Sequence, residues 1–108
     1  MAWTVETLSA VVDAELDALP ADMRARFVYI SQLIEEFGIE RVREPHVKHL
    51  QGPLWEMRLK GRDGISRAIY VTATQQRIVV VRVFVKKTQK TPRHEIELAL
   101  KRIKEAQL

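Results

Sequence analysis

The second half of the chain alternates apolar and charged residues with a period of two. From Leu54 to Lys60, Trp55, Met57 and Leu59 point one way, and Glu56, Arg58 and Lys60 the other. That period predicts a half-buried strand with a charged face. Gly61-Arg62-Asp63-Gly64 reads as a four-residue hairpin loop, and Ile65–Thr72 as the return strand. Thr74-Gln75-Gln76 makes another short turn. Ile78–Val85 is apolar except for Arg82, which marks a central strand. Three strands joined by short turns predict an antiparallel meander.

The first half has a helical period. Val12, Leu16 and Leu19 recur at helical spacing, and Pro20 ends that short helix. Met23, Phe27, Ile30, Ile34 and Phe37 form one stripe over residues 21–37, with Gly38 as the stop signal. A short strand over Trp3–Leu8 precedes both helices. Residues 39–53 contain Pro45, Gly52 and Pro53 and read as a connecting loop. Thr91 as cap and Pro92 at the first helical position open a last helix striped by Ile96, Ala99, Leu100 and Ile103. The order β-α-α-β-β-β-α predicts an α+β domain. Its helices pack on one face of a small antiparallel sheet, and the other face stays open and basic.

The length, 108 residues, fits one domain with its own core. The absence of cysteine excludes disulfides, thiolate catalysis and cysteine zinc sites. No apolar run approaches the roughly 20 residues of a membrane span. The first residues lack the order of a signal peptide. A cytoplasmic protein without a membrane association is the expectation.

Charge changes the picture most. The net charge of +4 hides a separation. Residues 1–40 hold eight Asp and Glu against two Arg, whereas residues 54–94 hold ten basic residues and two acidic ones. Separated charge builds a positive face that collects a polyanion, and RNA or DNA is the usual one. Arg58, Lys60, Arg67 and Arg82 on one sheet face can cradle phosphate, because Arg grips its oxygens bidentately. A structural ion pair with Glu56 is the plainer alternative, and Arg82, set in an apolar strand, must reach water, a carboxylate or a ligand. Lys86, Lys87 and Lys90 run into a helix N-terminus, itself a favourable place for anions. His94 lies beside them, where a neutral imidazole can act as acid or base. His46 and His49 are three apart and lack further ligands at suitable spacing, so no metal site and no cofactor are expected. Trp3, Phe27, Phe37, Trp55 and Phe84 sit at apolar positions and read as core. No base-stacking platform is visible.

Leu54-Trp55-Glu56-Met57-Arg58, Arg67-Ala68-Ile69-Tyr70 and Phe84-Val85-Lys86-Lys87-Thr88-Gln89-Lys90-Thr91-Pro92 occur in this order. Together they resemble the phage-derived, HigB-like branch of the RelE/ParE toxin superfamily, over roughly residues 3–106. The resemblance implies a RelE-like fold and a type II toxin of a toxin–antitoxin pair. Its implied activity is metal-independent cleavage of mRNA, often on the ribosome. Its implied partner is a small helix-turn-helix antitoxin, through which the pair reaches operator DNA. The superfamily also holds ParE-type toxins directed at DNA gyrase, and a non-enzymatic nucleic-acid-binding module is a third reading. Carried onto this chain, the catalytic candidates are Lys60, Arg67, Lys87 and His94. The RNA-binding candidates are Arg58, Arg82, Lys86 and Lys90. Arg82 stands where many relatives have histidine.

Overall fold

The computed structural model describes residues 2–86 and 89–108. Strand β1 (Thr4–Thr7) leads into helices α1 (Ala10–Asp17) and α2 (Ala21–Phe37). After a 3-10 turn at Ile39–Arg41 come β2 (Val47–Gln51), β3 (Leu54–Gly61), β4 (Gly64–Ala73) and β5 (Arg77–Lys86). Helix α3 (Arg93–Ala106) closes the chain. The α+β class, the meander and the three helices are as the periodicity predicts. The sheet is mixed, with order β1-β5-β4-β3-β2 and β1 parallel to β5.

The parallel pairing of β1 corrects the expected all-antiparallel sheet, and the layers differ from the sequence expectation in two further ways. The stretch read as a loop contains β2, an edge strand antiparallel to β3. Edge strands are short and carry weak alternation, because one side has no partner to pack against. The helices also cover both faces. Helices α1 and α2 bury Val12, Met23, Phe27, Ile30 and Ile34 against Met57, Leu59, Tyr70, Ile78 and Val80. On the opposite face, Ala99, Ile96, Leu100 and Ile103 of α3 pack over Leu54, Ile69, Val71, Val79, Val81 and Phe84. The continuous apolar run in β5 is the signature of a strand buried on both sides. Only part of the second face, beyond the start of α3, remains basic and accessible.

A bulge in β5 decides which side chains reach that part. Ile69 pairs with Arg82 and Tyr70 with Val80, so Val81 has no residue opposite it in β4. One extra residue reverses the alternation beyond it. Val80 faces α1 and α2, and Arg82, Phe84 and Lys86 therefore face α3 instead of following Val80.

The turns also have local causes. Gly38 ends α2 at φ 86°, a conformation that costs other residues strain. The β3–β4 hairpin is tighter than the predicted four-residue loop, since Gly61 and Gly64 pair with each other. Asp22 at the start of α2 accepts from the Arg62 backbone N–H at 2.6 Å. A side chain at Gly61 would meet that carboxylate at 2.7 Å, so the contact requires glycine.

Candidate nucleic-acid interface

Register brings four cations together on the α3 face. Glu56, Arg58 and Lys60 alternate along β3, and Lys48 of β2 pairs with Glu56. Arg67 of β4 lies opposite Arg58, and Lys86 of β5 lies opposite Ile65. The segment Gln89–Pro92 then crosses over before α3 begins. Between them is a groove of about 730 Å3. Its walls include Lys48, Glu56, Arg58, Arg67, Lys86, Lys90, Thr91 and Arg93.

Glu56 organises the floor. It is 2% exposed and Arg67 is 3% exposed. The Arg67 guanidinium donates through NH1 to Glu56 Oε1. Thr91 Oγ1 donates to Glu56 Oε2 at 2.6 Å. Thr91 thus ties the crossing segment to the sheet; it does not cap the helix, whose N-cap is Pro92. Arg67 Nε is buried without a hydrogen-bond partner among the described residues. Burial lowers the Arg67 pKa most, Glu56 opposes this, and Arg58 adds to the lowering. The expectation that Arg67 and Glu56 face solvent is therefore corrected: the segment carrying Thr91 covers them.

Lys86 sits in the same field. It is 8% exposed, and its ammonium donates to the Gln89 carbonyl. Burial pushes its pKa below the ordinary lysine value, and the charge of Arg67 adds to this. Glu56 opposes the shift, while Arg58 and Lys48 reinforce it. Among the described residues, Lys48, Arg58, Arg67 and Lys86 share the Glu56 carboxylate here, which leaves the groove short of negative charge.

The remaining sequence candidates lie elsewhere or are engaged. Arg82 is saturated: its Nε donates to Glu95 Oε1 at 2.7 Å and its NH1 lies 2.8 Å from Glu15 Oε2. The Glu95 hydrogen bond, outweighing burial, raises its pKa further. Its carboxylates are thus Glu15 and Glu95; Glu56 serves Arg67. Arg102 of α3 completes this cluster, donating to Glu15 Oε2 at 2.8 Å and to the Val81 carbonyl at 2.8 Å. Glu15 also accepts from the Val83 backbone N–H at 3.0 Å, beyond the point where β1 stops pairing with β5. Lys60 is exposed near the hairpin, outside the groove wall. His94 is 77% exposed and its Nε2 is 3.6 Å from Glu95 Oε2, so it turns away from the groove. Lys87 lies outside the described residues. The sequence reading did not single out Lys48, because it lies in the stretch read as a loop. Its pairing opposite Glu56 was the missing signal.

A family model, "Phage derived protein Gp49-like (DUF891)", matches residues 14–104. The chain belongs to this Gp49-like family. A solved structure with a similar fold is described as an archaeal RelE-RelB complex from Pyrococcus horikoshii OT3. The likeness has a TM-score of 0.59 at 25% identity, covering 81% of this Gp49-like chain and 98% of the other. No curated protein matches the chain significantly in sequence.

Proposed function

We propose that this Gp49-like protein is the toxin of a type II toxin–antitoxin pair and acts as a metal-independent endoribonuclease on mRNA. The observation that carries the reading is the groove, in which Lys48, Arg58, Arg67 and Lys86 surround a single carboxylate. Family membership and the RelE-like fold support it. The RelE neighbour was solved with RelB, which supports a cognate antitoxin for this chain. Its helix-turn-helix type follows from the resemblance to the HigB-like branch alone. The site of action is the cytoplasm, on mRNA held by the ribosome.

The chemistry needs no external nucleophile, because RNA carries a ribose 2′-OH. In the proposed step the 2′-oxygen attacks the adjacent phosphorus and its proton passes to a base. The P–O5′ bond breaks, and the departing 5′-oxygen takes up a proton. The products are a 2′,3′-cyclic phosphate and a 5′-hydroxyl. Lys86 suits the base, since burial and neighbouring cations favour its neutral form. Arg58 and Lys48 stabilise the charge that develops on the phosphate oxygens. Arg67 acts as a positioning residue, holding Glu56 and the segment that Glu56 anchors. Lys90 adds charge at the groove wall.

The test is purified protein with translating ribosomes and a defined mRNA. Cleavage leaving 5′-hydroxyl ends is expected. Lys86→Ala and Arg58→Ala should each lower the rate on the order of a hundredfold, with the fold checked by circular dichroism. Intact mRNA alongside inhibited gyrase would favour a ParE-type activity. Two folded, fully active variants would remove the groove from the mechanism.

A further inference from the structure

A second cavity, of about 690 Å3, lies back to back with the groove across the edge strand β2. Its size falls in the range of small-ligand sites, roughly 300–1,000 Å3. Lys48 and His49 line both cavities. The sheet edge explains why: Lys48 lies opposite Glu56 and His49 opposite Trp55, and no further strand beyond β2 separates the two cavities. Because β2 is the sheet edge, a chain lying in the groove can pass over it into the second cavity.

The lining of this cavity is suited to a flat, partly polar ring. Val42 and Val47 supply apolar walls. Trp55 is 38% exposed, although an indole at an alternating apolar position is expected to be core. His49 meets its ring edge-to-face with centroids 4.9 Å apart, which holds the indole in place. Tyr70 pairs with Trp55 across β3 and β4 and also lines the cavity. It is 1% exposed and belongs to the core under α1 and α2, so it closes the cavity floor. An exposed aromatic ring joined across the sheet edge to a cationic groove matches a nucleotide: phosphate on one side of the edge and base on the other.

We infer that the cavity bordered by Trp55, His49 and Tyr70 is a nucleobase pocket, which takes an unpaired base of the RNA strand whose phosphates lie in the Lys48–Lys86 groove. This rests on the RNA reading above and adds a source of nucleotide preference to it. Trp55 stacks on the base. Stacking of this kind is worth about tenfold in affinity or somewhat more.

The experiment pairs protein variants with gapped RNA. Single-stranded RNA oligomers carrying one abasic residue at each successive position are titrated against the wild type, Trp55→Ala and Trp55→Phe, read by anisotropy of an end label. One abasic position should weaken the wild type about tenfold and leave Trp55→Ala unaffected, with Trp55→Phe close to wild type. In a Trp3→Phe background, RNA should quench Trp55 fluorescence, and base-free inorganic polyphosphate should not. If every abasic position costs the wild type and Trp55→Ala the same, the pocket is overturned. The RNA reading then still stands, provided that Arg58→Ala weakens binding. No RNA binding by the wild type overturns both. Quenching by a co-expressed antitoxin, with none by RNA, overturns the base pocket in favour of a protein-docking site.

Discussion

Two ionic clusters lie on the α3 side of the sheet, and they differ in charge balance. In the first, Arg82 and Arg102 meet Glu15 and Glu95, two cations with two carboxylates. In the second, Lys48, Arg58, Arg67 and Lys86 surround Glu56, four cations with one carboxylate. The balanced cluster joins α1, β5 and α3, and its hydrogen bonds close an edge of β5 that β1 leaves unpaired. The unbalanced one lines a groove. The difference separates two uses of charge: arginine with matched carboxylates holds elements together, whereas surplus cations at a cavity wall favour an anion from outside.

The largest expected effect comes from breaking the one pair inside the unbalanced cluster. Glu56→Ala leaves Arg67 buried among cations and releases Thr91. Removing one partner of a buried pair costs about 3–5 kcal/mol. Urea unfolding should report a loss on that scale, and a loss below about 1 kcal/mol would mean that the pair is effectively solvated. Arg67→Ala should behave similarly, so its loss of activity alone would not identify a catalytic role.

That point shows where sequence reading reached its limit. The charge count over residues 54–94 takes in Arg58, Arg67, Lys86 and Lys90 of the groove wall but not Lys48, and the alternation of β3 put Glu56 and Arg58 on one face. Exposure could not be read, because it depends on the segment around Thr91 folding back over the sheet. The bulge at Val81 was equally hidden: strict alternation from Val80 would have turned Lys86 to the α1–α2 face. Trp55 fits the same strand alternation as Met57 and Leu59, yet it lies toward the edge beside β2, where the helices give less cover. The meander, α2 and α3 were legible because each has a long apolar period. The placement of α3 was legible in principle from the apolar run of β5 before Arg82, Ile78 to Val81, which demands cover on both faces.

An intermediate effect should follow from opening the balanced cluster. Glu15→Gln weakens hydrogen bonds to Arg102, Arg82 and the Val83 N–H, at a cost of about 1–3 kcal/mol. RNA affinity should be unchanged if this cluster only fastens. Burial raises the Glu15 pKa, but Arg102, the Val83 N–H and Arg82 outweigh it, and the net shift is downward from 4.5. A lowered carboxylate pKa contributes stability that is present above its unfolded value and lost as pH falls through the folded one. The gap between wild type and Glu15→Gln should therefore be full at neutral pH and narrow below about pH 4.5. A gap of constant size down to pH 2 would show that the charge of Glu15 is immaterial.

The smallest effect sharpens the comparison most, because its sign is opposite. Lys86 is a cation whose folded pKa lies below its ordinary 10.5, with burial and the neighbouring cations as the causes. Below the folded pKa, both states hold the proton, and the folded state bears it at a disadvantage. As pH rises from the folded pKa towards 10.5, the unfolded chain binds more protons than the folded one, so stability increases. Wild-type protein should gain stability in that alkaline window relative to Lys86→Met. Urea unfolding at several pH values gives the difference. Stability profiles that run parallel in both proteins through this window would mean that the surplus charge does not act on Lys86.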